Sequence, residues 1–208
     1  MKVMKPVTTL PPGSLPLRGN DLAVDFVNTV ADVRTGVGEY LPTPAALLAW
    51  ALHAGALALD EHAEAAASIA ANPRQAALTH RSALAFRASL TRILTGEDDP
   101  DDLAAVDRAR LAAARLQTLQ RRGDRYELAW ERPTTLRVAT GRVAVTATAL
   151  ITSERLALIS QCDGPRCGWL FVDDSPAHRR RWCSMQDCGN RAKVRRFRAK
   201  TGQQTAGR

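Results

Sequence analysis

Four cysteines, Cys162, Cys167, Cys183 and Cys188, are the only ones in the chain, and they stand in the spacing C-x4-C-x15-C-x4-C. Two thiolate pairs separated by a connecting loop can close a tetrahedral sulfur shell around one zinc ion. Between the first pair, Asp163-Gly164-Pro165-Arg166 is a turn-forming set that folds the chain back so that both sulfurs converge. Four protein ligands leave no open position for water or substrate, so the expected zinc is structural rather than catalytic. The competing chemistry, two disulfides, requires an oxidising compartment. Met1 to Asn20 speaks against it, because Pro6, Pro11, Pro12 and Pro16 interrupt the segment and no apolar leader core is present. Ala45 to Leu59, the richest apolar stretch, falls short of the ~20 residues that span a bilayer. The expectation is a soluble, cytoplasmic protein with one structural zinc and no membrane partner.

Charge and aromatic residues separate the cysteine module from the rest. From Gln161 to Arg208 lie 11 of the 29 Lys/Arg but only 4 of the 21 Asp/Glu, so nearly all of the net charge of +8 sits there. Trp169, Phe171, Trp182 and Phe197, four of the ten aromatics, flank the cysteines and are expected to form a miniature core. Two domains follow, 1–155 and 156–208, joined near Thr152 to Leu158, and in this reading losing the metal unfolds only the second.

The first domain reads as mainly α with minor β. Asp21, Asp25, Asn28 and Asp32 recur at helical spacing opposite Leu22, Phe26, Val27 and Val30, which predicts an amphipathic first helix. Thr43-Pro44 and Asn72-Pro73 each pair a capping residue with proline at the first helical position, opening helices that run toward Gly55 and through Leu94. A fourth helix is expected from Asp101 to Leu119, a turn at Arg121-Arg122-Gly123-Asp124 and a strand over Tyr126 to Glu131. Leu136 to Ile151 mixes strand-favouring Val and Thr with helix-favouring Ala, and its pattern leaves both open. The tail Thr201 to Arg208 reads as disordered.

In the second domain, Gly168 to Val172 reads as a strand that Asp173-Asp174-Ser175-Pro176 turns back toward Arg179 to Trp182, with a helix from Gly189 to Lys200. Knuckle, hairpin and helix in that order are treble-clef-like. On the helix, Val194 and Phe197 form an apolar stripe expected to face the module. Arg191, Arg195 and Arg198 flank it on one side and Lys193, Arg196 and Lys200 on the other, with Ala192 and Ala199 outward. Joined by Arg179, Arg180 and Arg181, such a basic rod suits phosphates or a major groove. Arg191, three residues past Cys188, fits equally well as a hydrogen-bond donor to the sulfurs.

Cys188-Gly189-Asn190-Arg191 spells the CGNR zinc-finger signature, preceded by Arg181-Trp182-Cys183-Ser184-Met185 and followed by Ala192-Lys193-Val194-Arg195. Upstream, Asp25-Phe26-Val27-Asn28-Thr29 and Leu47-Leu48-Ala49-Trp50 resemble the ABATE domain that usually precedes this finger. Together the segments resemble bacterial proteins described as stress-induced transcription regulators. That resemblance implies a helical N-terminal domain with some strand, a helix over Leu136 to Ile151, a treble-clef-like finger and a DNA-binding role.

No catalytic constellation stands out, so no enzyme is expected. His62-Ala63-Glu64 has the H-x-E form of zinc deaminases, but its P-C-x-x-C partner is missing. His53 reads as a core-edge residue. The alternatives to a DNA-binding regulator are a protein-interaction adaptor and an RNA-binding module. A homodimer would supply specificity that one small module lacks. Regulation would place a small-molecule effector on the first domain, where Asp25 and Asn28 share a helix face that could line its pocket.

Overall fold

A computed structural model describes residues 10–165 and 167–205, with the side chains of 199–205 excepted. Arg166 and the ends of the chain, including 206–208 of the expected disordered tail, lie outside the described residues. The elements in chain order begin with α1 (Leu22–Val27), a hairpin of β1 (Val30–Asp32) and β2 (Val37–Glu39), α2 (Pro44–His53), α3 (Leu59–Ala71) and α4 (Pro73–Thr95). Next come α5 (Pro100–Ala114), a ribbon of β3 (Gln117–Arg122) and β4 (Arg125–Trp130), and α6 (Leu136–Ile151). The C-terminal part holds β5 (Ile159–Gln161), β6 (Leu170–Val172), a π turn at Met185–Gly189 and α7 (Asn190–Thr205). All three two-stranded sheets are antiparallel.

The start signals act as the local chemistry dictates. Thr43 accepts from the Ala46 N–H at 3.1 Å and Asn72 from the Gln75 N–H at 3.1 Å, each before a proline whose missing N–H costs nothing there. The ambiguous segment 136–151 is helical throughout, and its face of Leu136, Val138, Val143, Ala147 and Leu150 is buried. This α6 is the central post, packing against α1, α2, α3, α4 and α5. Phe26 on α1, Trp50 on α2 and Phe86 on α4 fill the middle, with Phe26 ring centroids 5.3 Å from Trp50 and 6.1 Å from Phe86.

Three expectations change. The first helix ends at Val27 because Asn28 leaves helical geometry, and Asp32 belongs to β1, paired with Val37. The fourth helix stops at Ala114, since Gln117 to Arg122 pair residue for residue with Arg125 to Trp130 and only Gly123-Asp124 remains as the loop. At the other end α7 runs on through Thr205, into the segment read as disordered.

The polar face of α1 does not look outward. Asn28 is buried, its amide donating to the Leu170 carbonyl at 2.8 Å and its carbonyl accepting the Leu170 N–H at 2.8 Å. It thereby pairs with β6 as another strand would. Two residues along, Val172 N–H donates to the Gly19 carbonyl at 2.9 Å, and the Trp169 indole N–H donates to Val30 O at 2.7 Å. Asp25 accepts the Arg18 and Gly19 N–H groups on one oxygen at 2.8 and 2.7 Å. Both side chains expected to line an effector pocket are thus committed to the internal framework, because the chain enters and leaves α1 through them.

Replacing Asn28 with alanine strands a buried N–H and a buried C=O on β6, and we expect a loss of about 2 to 5 kcal/mol in urea unfolding at fixed zinc. Asp25 gives the opposite sign. Burial, opposed by the two backbone N–H bonds, pushes its carboxyl up from 3.8 to about 6. The folded state therefore holds this proton more tightly than the unfolded chain, so the stability Asp25 contributes is full below about pH 4 and falls as pH rises to about 6. Asp25→Asn keeps a carbonyl acceptor there. It should raise stability by about 1 to 3 kcal/mol at pH 8 and by nearly nothing at pH 4 in paired denaturation curves.

Candidate metal centre

The first cysteine pair grows out of the β5–β6 hairpin. Cys162 follows β5 directly and its N–H donates to Trp169 O at 2.8 Å, while Cys167 closes the knuckle by donating its N–H to Gly164 O at 3.1 Å. A Cβ at Gly164 would stand 3.1 Å from the Cys167 Cβ, 3.3 Å from the Cys188 sulfur and 3.4 Å from that of Cys162. A side chain there would push these atoms apart by a few tenths of an ångström, so glycine suits the tight closure of the knuckle. Gly168 has φ +63°, the left-handed conformation that turns the chain from the knuckle into β6.

The second pair comes from the π turn. Ser184 caps it by accepting the Asp187 N–H at 3.2 Å, and Cys188 is buried within it just before α7 begins. All four sulfurs lie within 4.8 Å of one another, with Cys167 to Cys183 at 3.6 Å and Cys183 to Cys188 at 3.7 Å. Zinc with thiolates at ~2.3 Å defines a sulfur tetrahedron whose edges are about 3.8 Å. A disulfide would need ~2.05 Å, and all four thiols are free. The geometry therefore fits one four-coordinate zinc held by Cys162, Cys167, Cys183 and Cys188.

Electrostatics point the same way. Sulfhydryl hydrogen bonds from Cys167 and Cys183 draw the Cys162 thiol far below its ordinary range, and the charge it then bears pushes its neighbours up, Cys183 to about 12. Like charges this close cannot all ionise unaided, so four thiolates require a divalent cation. The net minus two of that cluster meets four arginines. Arg191 donates to the Cys188 sulfur at 3.1 Å. Arg18 pairs with Asp187 and lies near enough to Cys183 that a thiolate there, with Asp187, holds its guanidinium charge. Arg180 donates to the Cys183 carbonyl at 2.6 Å and stacks 4.2 Å over Phe171, while Arg34, paired with Asp32, donates to Gly164 O at 2.8 Å. Arg18 and Arg34 were not among the sequence candidates, since nothing in their spacing points to cysteines more than a hundred residues away.

The basic candidates divide accordingly. Arg180 and Arg191 hold the centre together, and Arg181 is paired with Asp163 at 2.7 Å and lies over Trp182. Arg179, Lys193, Arg195, Arg196 and Arg198 are exposed and make no ion pair among the described residues. The Lys200 side chain lies outside the described residues. Two local expectations are reversed. The hairpin partner of β6 is β5, not Arg179 to Trp182. On α7, Ala192 is the buried residue, whereas Val194 and Phe197 are 48% and 71% exposed. With Ala192 inward the apolar stripe looks out, and Phe197 is no part of the finger's core.

His62-Ala63-Glu64 lies on α3, where Glu64 accepts the Thr134 N–H at 2.6 Å and pairs with Arg132, remote in role from the cysteines. His53 and His80 bond the Leu15 and Leu41 carbonyls, each at 2.8 Å. Among the described residues, the four cysteines are the one cluster of three or more such side chains close enough to share an ion.

Residues 159–201 match the CGNR zinc finger model, and residues 20–154 match the ABATE model, described as "Putative stress-induced transcription regulator". The chain belongs to the ABATE family. No curated protein matches it. The ABATE segment supplies Asn28, Val30 and Arg34 to the finger, so the two matched segments meet through hydrogen bonds and not only through a linker.

That packing replaces the expectation of a finger that unfolds by itself. Trp169, Phe171 and the four cysteines are part of one buried cluster with Phe26, Trp50 and α6. Cys183→Ser, or chelation of the wild type, should therefore release one zinc per chain and lower the thermal midpoint of the entire protein in a single transition. A dye assay for zinc run beside calorimetry checks it, and an unchanged ABATE transition would contradict the shared core.

Proposed function

We propose that this ABATE protein is a cytoplasmic DNA-binding transcription regulator, not an enzyme, in which zinc fixes the start of α7 and α7 contacts DNA, while the helical domain senses a small-molecule effector. The observation that carries the DNA half is the division of the arginines. Arg180 and Arg191 are consumed by the thiolate cluster, yet Arg179, Lys193, Arg195, Arg196 and Arg198 remain exposed and without acidic partners among the described residues. Unneutralised cations on one rod raise the local potential and suit a phosphate backbone. The match to a family described as transcription regulators favours duplex DNA over RNA.

Exposed Val194 and Phe197 between those cations favour a second reading, an adaptor helix docking on an acidic protein with an apolar groove. A C2 dimer would give the DNA reading its specificity, since one small module covers too little surface. Among the described residues no helix is long and apolar enough to cross a membrane.

The test is selection of bound sequences from random duplexes with the zinc-loaded full chain, followed by affinity against salt for the enriched site. Arg195→Ala with Arg198→Ala should leave zinc content unchanged and flatten the slope of log K against log salt by about 2. An enriched motif that the double variant loses supports the assigned helix. No enrichment by the wild type, with equal affinity for any polyanion, overturns sequence-specific regulation.

A further inference from the structure

A cleft of about 270 Å³ opens between α4, α5 and α6, on residues with no part in the metal centre. It exists because the helices present small side chains to one another there. Ala83 of α4, Ala113 of α5 and Gly141 of α6 line it, with the ring of Phe86 beside them. A Cβ at Gly141 would stand 2.9 Å from the Trp130 ring and 3.4 Å from the Ala113 Cβ, so α5 and α6 are in close contact and the space remains toward α4. The volume lies just under the ~300 to 1,000 Å³ of small-molecule pockets.

The polar lining is one-sided in charge. Arg137, Gln75, Thr79 and Ser82 contribute to it, and no aspartate or glutamate does. Arg137, like several other exposed arginines of the helical domain, has no ion pair among the described residues, and the side chains of Gln75, Thr79 and Ser82 make no hydrogen bond there. One unpaired guanidinium, idle hydroxyls and an aromatic wall together suit a small ligand with a carboxylate at one end and a short apolar body at the other.

We propose that this cleft binds a small organic anion, its carboxylate paired with Arg137 and its apolar body against Phe86 and Ala83. It deepens the sensing half of the proposed function and rests on that half alone. The position is apt: α6, which carries Arg137, also packs on α1, whose following residue Asn28 holds β6 of the finger.

Benzoate serves as the probe in calorimetric titration of the zinc-loaded full chain without DNA. Benzamide is its neutral isostere, and acetate lacks the apolar body. Saturable benzoate binding at a single site is expected, with benzamide, acetate and the Arg137→Gln variant each about tenfold weaker or worse. Ser82→Leu, at an exposed helical position, fills the cleft; it should abolish binding while leaving the thermal midpoint near that of the wild type. Absence of saturable benzoate binding, equal affinity for benzamide, or binding that survives both variants overturns the site. DNA affinity measured with and without saturating benzoate then separates the two claims: binding in the cleft with unchanged DNA affinity keeps the site and removes its sensing role, and a failure of the DNA reading leaves the titration untouched.

Discussion

Strand β6 is where metal and hydrophobic core meet. One edge pairs with β5, which leads directly into the first two cysteines, and the other is taken up by Asn28 and Gly19 from the opposite end of the chain. Leu170, Phe171 and Val172 are fully enclosed as a result. A strand this short has too few ladder bonds to persist alone. Its stability depends on the zinc knuckle holding one end and the ABATE segment satisfying the polar edge that would otherwise be left unbonded. Each side therefore needs the other, and cooperativity between them follows from hydrogen-bond accounting rather than from any added device.

Charge imposes the same dependence. A tetrathiolate zinc centre carries a net negative charge in a partly buried place, and burying charge is expensive unless partners are arranged around it. Two of the four arginines that answer it, Arg18 and Arg34, come from the N-terminal part of the chain, and Asp187 and Asp32 hold those two in place. The finger thus borrows half of its charge compensation from outside its own sequence. This explains why α7 can leave five of its neighbourhood's cations exposed: the cluster is already served by Arg18, Arg34, Arg180 and Arg191.

What could be read from the sequence was whatever is local. The four ligands are defined by spacing, and the helix starts at Thr43-Pro44 and Asn72-Pro73 by neighbouring residues, so each stands where expected. Asn28 is not legible in this way, because a polar residue at i+7 gives the same periodic signal whether it meets water or the edge of a strand 142 residues away. The helical pattern continues to Leu119 for a related reason, since the cross-strand pairing with Leu128 that outweighs local propensity leaves no local signal. Leu136 to Ile151 has no decisive pattern of its own, and its burial against five other helices settles its conformation.

The orientation of α7 runs against its apolar pattern. A helical wheel alone puts Val194 and Phe197 inward, because an apolar stripe ordinarily seeks the core. Next to the thiolate turn, however, it is Ala192 that is buried. The larger apolar residues are then carried to the far side, between Lys193 and Arg198. A helix anchored at its first turn and exposed from Lys193 to Arg198 presents both kinds of group at once, cations for long-range attraction and an apolar ridge for short-range fit. Attraction falls with salt while burial of the ridge does not. The salt dependence of binding is therefore the property that reveals which of the two the partner uses.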